Sequence, residues 1–192
     1  GPDTDIPAGD IGVGEREIGY LFGAYKKLTG RFDGAMTGKH PAFGGSCVRK
    51  EATGYGCVYF LEQALEQAGE KLDGKTCCIS GAGNVALYTA QKLLEKGAKV
   101  VSFSDSKGMV HIPDGITEER LEELIQIKEV EHGTLKDLCE DYDDCDYFED
   151  KSPWGIECDI AIPAATQNEV DKKDAEKLKK NGVKWVCEAA NM

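Results

Sequence analysis

The stretch ISGAGNVA, residues 79–86, decides the fold of this chain. It follows the short apolar run KTCCI, which is typical of a buried strand. It leads into NVALYTAQKLLEKG, where apolar side chains recur at helical spacing and a glycine closes the segment. Gly81, Gly83 and Ala86 occupy the three fixed places of a G-x-G-x-x-A pattern. We therefore predict a strand, a tight loop and a helix in direct succession.

Each small residue of this loop has a physical role in binding a pyrophosphate. Gly81 permits the tight turn, Gly83 lets the backbone approach the phosphates, and Ala86 lets the helix pack close to the strand. The first N–H groups of the helix, at Asn84 and Val85, can donate to an anion that the helix dipole also favours. The loop thus predicts a dinucleotide site. The alternative is a small-residue turn that binds nothing.

Further strand-like and helix-like segments alternate after the loop. KVVSFSD, CDIAIPAA and KWVCEAAN have the apolar runs of buried strands. TEERLEELIQIKEVEH, TLKDLCEDY and DKKDAEKLKKNG have helical patterns. The acid-rich residues 118–150 are interpreted as a solvated helical face followed by an acidic loop. This alternation predicts an α/β fold with a doubly wound, mostly parallel sheet, that is, a Rossmann-like dinucleotide-binding domain.

Residues 1–50 are organised differently. PDTDIPAGDIGVG is a predicted loop, and EREIGYLFGAYKKLTG is a predicted amphipathic helix that ends at Gly30. The glycine-dense loop that follows is long enough to suggest a function. We place the domain boundary so that residues 1–50 are a helix with loops and residues 51–192 are the dinucleotide-binding domain.

Composition excludes several classes of partner. Apolar residues make up 41% of the chain and charged residues 30%, which fits a folded soluble domain. The formal net charge of −12 argues against nucleic acid. No membrane span or secretory signal is present, so we expect a cytoplasmic protein. The 8 cysteines include no CxxC pair, so we expect them to be reduced residues of the core and not metal ligands. The histidines His40, His111 and His132 are isolated in the sequence and do not suggest a metal site either.

Five motifs, taken in order, resemble the hexameric glutamate dehydrogenases of the NADP type. They are DTDIPAGDIGVGEREIGY, TGKHPAFGGSCVRKEATGYG, GAGNVA, IPAATQNE and EAANM, and together they extend over almost the whole chain. The resemblance implies an oxidoreductase that reversibly deaminates L-glutamate to 2-oxoglutarate and ammonia. It also implies a homohexameric parent protein.

The resemblance implies roles for residues at both ends of the site. Asp10 matches the catalytic aspartate that moves protons to and from the amino nitrogen. Without the resemblance, an acid in such a Gly/Pro loop is interpreted as a turn residue or a helix cap. Arg49 matches a substrate-side position, with a surface cation as the alternative. Ala189 stands where the family usually has glycine, which is mildly costly if the backbone φ is positive there. The implied cofactor-binding residues are Thr53, Gly81, Gly83, Asn84, Val85, Ser104, Asp105, Ser106, Lys107, Lys128, Ala165, Thr166 and Asn191.

The choice between NADP and NAD depends on SFSDSKG, residues 102–108. A lone acid such as Asp105 usually binds the ribose hydroxyls of NAD. A 2′-phosphate would be repelled unless cations and hydroxyl donors compensate, and Ser104, Ser106 and Lys107 can do so. The resemblance adds Lys128, from the IQIK segment, at the same phosphate. We therefore favour NADP, with NAD as the alternative, unless Asp105 and Ser106 only shape a turn.

Much of the family's catalytic machinery is absent from the chain. In the family, the lysines that bind the substrate precede the loop that carries Asp10, and further helices follow EAANM. We therefore expect an internal fragment, cut at the C-terminal end of its cofactor domain, that is inactive alone and monomeric or weakly associated. The alternatives are a dehydrogenase of leucine, phenylalanine or valine, and a non-catalytic dinucleotide-binding module.

Overall fold

The computed structural model describes residues 1–47, 49–140 and 142–191. Val48, Asp141 and Met192 lie outside the described residues. They belong, in that order, to the predicted glycine-dense loop, the predicted helix TLKDLCEDY and the motif EAANM. The chain divides into two compact units, Gly1–Arg49 and Lys50–Met192.

The first unit is built on helix α1 (Glu15–Thr29). The backbone N–H of Gly14 donates to the Glu17 carboxylate at 2.9 Å, which caps the start of the helix. Gly30 ends it with a left-handed φ of 69°. Ile18 and Phe22 are buried, so the predicted amphipathic helix is confirmed. A short 3₁₀ turn, Pro41–Phe43, follows.

The second unit contains the glycine loop and the sheet. Its strands are β1 (Thr76–Ile79), β2 (Lys99–Ser104), β3 (Gly108–His111), β4 (Asp146–Glu149), β5 (Ile160–Ile162) and β6 (Trp185–Val186). Its helices are α2 (Ala52–Gln67), α3 (Asn84–Glu95), α4 (Glu118–Ile125), α5 (Leu135–Glu140) and α6 (Lys172–Lys180). A π-helical turn, Gln126–Glu131, continues α4, and a 3₁₀ turn, Pro153–Gly155, precedes β5.

The six strands form one sheet in the order β4-β3-β2-β1-β5-β6. β2, β1, β5 and β6 are parallel, and β3 and β4 are antiparallel additions at one edge. The predicted α/β, mostly parallel class is therefore confirmed. Cys77 pairs with Val100 on one side and with Ile160 on the other, so β1 lies at the centre. The chain leaves β1 toward β2 and later returns to β5 on the other side, which creates a topological switch point.

The two antiparallel strands were missed by the sequence prediction. Residues 146–149, interpreted as part of an acidic loop, form the edge strand β4 with mostly exposed side chains. An acidic, exposed edge strand lacks the apolar signature of a buried one, and its charges oppose pairing with other chains. The expectation of reduced cysteines is also wrong in part, because Cys139 and Cys145 form a disulfide next to this strand.

None of the helices among the described residues is long and apolar enough to span a bilayer.

Candidate functional site

The carboxyl ends of the four parallel strands meet at one edge of the sheet, which we call the carboxyl edge. It consists of the segments that directly follow β1, β2, β5 and β6. Backbone and hydroxyl groups link them: Gly81 N–H donates to Ser104 Oγ at 2.9 Å, and Ser104 N–H donates back to the Gly81 carbonyl at 3.2 Å. Ala164 N–H donates to Ser80 Oγ at 2.9 Å. Because ligands of open α/β sheets bind at this edge beside the switch point, it is the candidate site.

The two glycines of the loop are needed for different reasons. Gly81 has a left-handed φ of 82°, and a Cβ there would lie 2.7 Å from the Ala164 carbonyl oxygen. Gly83 has an ordinary φ of −97°, and a Cβ there would meet no atom within 4 Å. Gly81 therefore serves the fold, whereas Gly83 keeps open the space in front of α3.

The start of α3 offers unpaired backbone donors to that space. The first intrahelical bond runs from Leu87 N–H to the Gly83 carbonyl at 3.0 Å. An α-helix leaves its first N–H groups without intrahelical partners, and here these belong to Asn84, Val85 and Ala86. Asn84 is exposed and Ala86 is fully buried against the sheet. This arrangement can hold a phosphate group.

Asp105, the acid after β2, is held by three donors. Its Oδ1 accepts the Lys107 N–H at 2.9 Å, and its Oδ2 accepts the Leu135 N–H at 3.3 Å. Lys128 Nζ lies 3.4 Å from the same Oδ2 and also donates to the Gly133 carbonyl at 2.9 Å. The structure thus brings together Asp105 and Lys128, which lie far apart in the sequence. Lys128 is on the π-helical turn, a geometry often found at functional positions.

The other three residues assigned to the ribose end differ in exposure. Ser104 is buried, and its hydroxyl is engaged by the Gly81 N–H. Ser106 and Lys107 are exposed in the turn between β2 and β3. The hydroxyl of Ser104 therefore supports the glycine loop, and Ser106 and Lys107 are the ones open to a ligand.

After β5, the Glu169 carboxylate holds the segment against the end of β1, a role that the sequence did not indicate. The Ser80 hydroxyl donates to Glu169 Oε1, and that same hydroxyl accepts the Ala164 N–H. Burial raises the pKa of Glu169 above its ordinary value. Ala165 and Thr166 are exposed between these anchors. Only the fold reveals this role, because Ser80 and Glu169 are distant in sequence.

The end of β6 runs beside the same segment. Ala189 N–H donates to the Pro163 carbonyl at 2.8 Å, and Asn191 is exposed. The backbone φ of Ala189 is not positive, since the described non-glycine residues with positive φ are His132, Asp150 and Asn168. Alanine is therefore unstrained at this position.

Helix α2 begins beside α3 and carries Thr53, which is exposed in its first turn. The next residue, Gly54, is buried, and a Cβ there would lie 2.5 Å from the Thr89 backbone nitrogen. This glycine lets the two helices pack backbone to backbone. Sequence reasoning missed it because Gly54 was assigned to the end of the glycine-dense loop, whereas the structure places it within α2.

Asp10 and Arg49 belong to the first unit and are both exposed. Asp10 accepts the Val13 N–H through its carbonyl at 2.8 Å, in a turn that Gly12 completes with a φ of 75°. The Asp10 carboxylate accepts the Ile11 N–H at 2.8 Å and otherwise faces solvent.

Among residues 1–47, 49–140 and 142–191, no group of three or more His, Cys, Asp or Glu side chains is placed to hold a metal ion.

Comparisons with known proteins agree with this geometry. Residues 44–192 match the sequence model of the Glutamate/Leucine/Phenylalanine/Valine dehydrogenases. The chain is 55% identical to the NAD(P)-specific glutamate dehydrogenase of Xylanibacter ruminicola, covering 100% of this chain and 43% of that protein. It is 52% identical to the NADP-specific glutamate dehydrogenase of Haemophilus influenzae, covering 100% and 42%. The structure of Plasmodium falciparum glutamate dehydrogenase superposes with a TM-score of 0.88 at 50% identity, covering 100% and 41%. The chain thus spans less than half the length of these relatives.

Proposed function

Because the chain belongs to the glutamate/leucine/phenylalanine/valine dehydrogenase family, we propose that it is the cofactor-binding part of a longer NADP-dependent glutamate dehydrogenase. The whole protein would reversibly deaminate L-glutamate to 2-oxoglutarate and ammonia. The NADP-specific name of a relative at 52% identity supports this cofactor. The observation that carries the proposal is the meeting of Lys128 with Asp105 at the end of β2.

The open start of α3 would hold the pyrophosphate. Gly83 leaves room there, and the N–H groups of Asn84 and Val85 point along the helix axis toward it. Binding of this kind depends on the backbone, so it serves NAD and NADP equally. Discrimination between them must come from the ribose end.

The charges around Asp105 favour a 2′-phosphate. A bare carboxylate would repel it, but the Lys128 ammonium lies 3.4 Å from Asp105 Oδ2 and offsets that charge. The Lys128 and Asp105 side chains are only 19% and 15% exposed, so solvent screens this pair less than a surface pair. Lys107 and Ser106 add an exposed cation and an exposed hydroxyl on the same turn.

The proposed reaction of the whole protein would require further groups. A nicotinamide cofactor, when bound, would supply the hydride acceptor for this chemistry. Asp10 would move protons to and from the nitrogen as ammonia leaves or enters. Thr53, Ala165, Thr166 and Asn191 would border the nicotinamide and its ribose, and Arg49 would face the substrate. We further propose a homohexameric assembly and a cytoplasmic location for the whole protein.

The 192-residue chain itself should bind cofactor without turning over glutamate. Catalysis needs several groups that act together on the transition state, and one carboxylate and a cofactor site are insufficient for it.

The decisive experiment is a titration of the chain with NADPH and with NADH, followed by fluorescence. Lys128→Ala should weaken NADPH binding roughly tenfold, since it removes one charge-assisted contact worth about 1.4 kcal/mol and leaves Asp105 facing the phosphate. NADH lacks the 2′-phosphate, so its binding should change by less than about twofold, or about 0.4 kcal/mol. Lys136→Ala, which removes an exposed lysine of α5, is the control for net charge.

Equal weakening of NADPH binding in the Lys136→Ala protein would mean that only bulk charge matters. Unchanged NADPH binding in the Lys128→Ala protein would refute the assignment of the phosphate site. Glutamate-dependent reduction of either cofactor by the 192-residue chain would refute the proposal that it is inactive alone.

A further inference from the structure

Two free thiols lie in contact in the second unit. Cys57 is on α2, Cys187 directly follows β6, and their Sγ atoms are 3.3 Å apart. Cys187 is 9% exposed and Cys57 is partly buried. The glycine loop and the cofactor residues assigned above do not use either thiol. A disulfide has an S–S distance of about 2.05 Å, so the two sulfurs need to approach by only about 1.2 Å to bond.

The contact makes the two thiols unequal. The hydrogen bond from Cys57 lowers the pKa of Cys187, because the donated S–H stabilises the Cys187 thiolate. The same contact, together with burial, raises the pKa of Cys57. Cys187 is therefore the better nucleophile and Cys57 the natural resolving thiol.

Among the other cysteines, Cys78 and Cys158 also interact, and a hydrogen bond with Cys78 lowers the pKa of Cys158, but its partner Cys78 is 0% exposed. Cys77 and Cys78 are fully buried in β1, and burial raises the pKa of the Cys77 thiol to well above its ordinary range. Cys139 and Cys145 are already joined. Cys47 is exposed, which makes it a useful reference for simple surface oxidation.

We propose that Cys57 and Cys187 are an oxidisable dithiol that a hydroperoxide converts to a disulfide. The Cys187 thiolate attacks one peroxide oxygen, the O–O bond breaks, and hydroxide leaves with the electron pair and becomes water after protonation. The product is a sulfenic acid on Cys187. The Cys57 thiol then attacks that sulfur, the S–O bond breaks, and the departing hydroxide takes the Cys57 proton and leaves as a second water. In total two thiols and one hydrogen peroxide give one disulfide and two waters, with the thiols oxidised and the peroxide reduced.

The position of the pair links this chemistry to the cofactor. Cys57 lies one helical turn after Thr53, and Cys187 is separated from Asn191 by only three residues. Drawing the sulfurs together moves α2 toward the segment after β6. This second step rests on the proposed function, in which Thr53 and Asn191 border the nicotinamide. Misplacement of binding groups by about 1 Å is costly, so the disulfide should weaken NADPH binding roughly tenfold.

The test of the dithiol needs no cofactor. The 192-residue chain is gently reduced, treated with hydrogen peroxide, digested without reductant and analysed by mass spectrometry. A peptide linked through Cys57 and Cys187 should form, and added thiol should reverse it. The linked peptide should be absent from Cys57→Ser and Cys187→Ser proteins and present in the Cys47→Ser control. A sulfenic acid probe should label Cys187 in the Cys57→Ser protein.

If the wild-type chain forms no Cys57–Cys187 link while Cys47 is oxidised, the proposal is overturned. The wild-type result stands even if a variant fails to fold. A titration with NADPH before and after peroxide then tests the second step, with Cys187→Ser expected to be insensitive to peroxide. A chain that forms the disulfide but binds no NADPH in either state contradicts the proposed function and leaves the dithiol standing. A chain that binds NADPH but forms no disulfide contradicts the dithiol alone.

Discussion

Replacement of the two loop glycines by alanine should separate folding from cofactor binding. In Gly81→Ala, a non-glycine residue must adopt a φ of 82°, which costs about 1–2 kcal/mol. Its Cβ would also lie 2.7 Å from the Ala164 carbonyl oxygen, in a place where backbone must move to relieve the contact. Such overpacking adds about 1–2 kcal/mol. We therefore expect the free energy of unfolding to fall by about 2–4 kcal/mol.

Gly83→Ala is the matched control for this calculation. Its φ of −97° suits alanine, and the new Cβ meets no atom within 4 Å. Alanine also restricts the unfolded chain, so the stability should be unchanged or higher by about 0.5 kcal/mol. The same Cβ occupies the space in front of α3, so NADPH affinity should fall at least roughly tenfold because the backbone can no longer approach the pyrophosphate.

Urea unfolding, followed through the fluorescence of the buried Trp154, measures the stability part. With a slope of about 2–3 kcal/mol per molar urea, the midpoint of Gly81→Ala should fall by about 1 M. The midpoint of Gly83→Ala should stay unchanged or rise by up to about 0.2 M. NADPH titration of folded protein measures the binding part. The reasoning is refuted if both variants lose the same stability, or if Gly81→Ala unfolds at the wild-type midpoint.

Three further changes test other contacts of the second unit. Gly54→Ala should destabilise by about 2–4 kcal/mol, since its Cβ would lie 2.5 Å from the Thr89 nitrogen between α2 and α3, and urea unfolding checks this. Ser104→Ala leaves the buried Gly81 N–H without its acceptor and should cost about 1–3 kcal/mol, whereas exposed Ser106→Ala should cost less than about 0.5 kcal/mol. Burial raises the pKa of Glu169, so the folded state holds that proton more tightly than the unfolded state does. Stability should therefore decline as pH rises above about 4.3, the unfolded value, and Glu169→Gln should flatten this decline in unfolding measured across pH. An unaltered pH profile would show that Glu169 is not its source.

Much of the second unit could be predicted from local sequence. The strand–loop–helix around Gly81 and the parallel strands β1, β2 and β5 follow from apolar runs and glycine stops. β4 could not be predicted in this way, because its mostly exposed, acidic residues pair only with an edge that β3 provides. The Cys139–Cys145 disulfide was likewise not predicted, since all cysteines were interpreted as reduced residues of the core.

The sequence by itself determined which backbone could bind a pyrophosphate, because the spacing of small residues acts within one loop and one helix turn. Only the tertiary structure decided which side chains meet there. Lys128, on the π-helical turn, contacts Asp105 after β2. Ser80 contacts Glu169 at the carboxyl edge, and Cys57 of α2 contacts Cys187, which follows β6. These contacts join residues far apart in the chain. They are set by the order of strands in the sheet and the packing of helices on it, which no local pattern encodes.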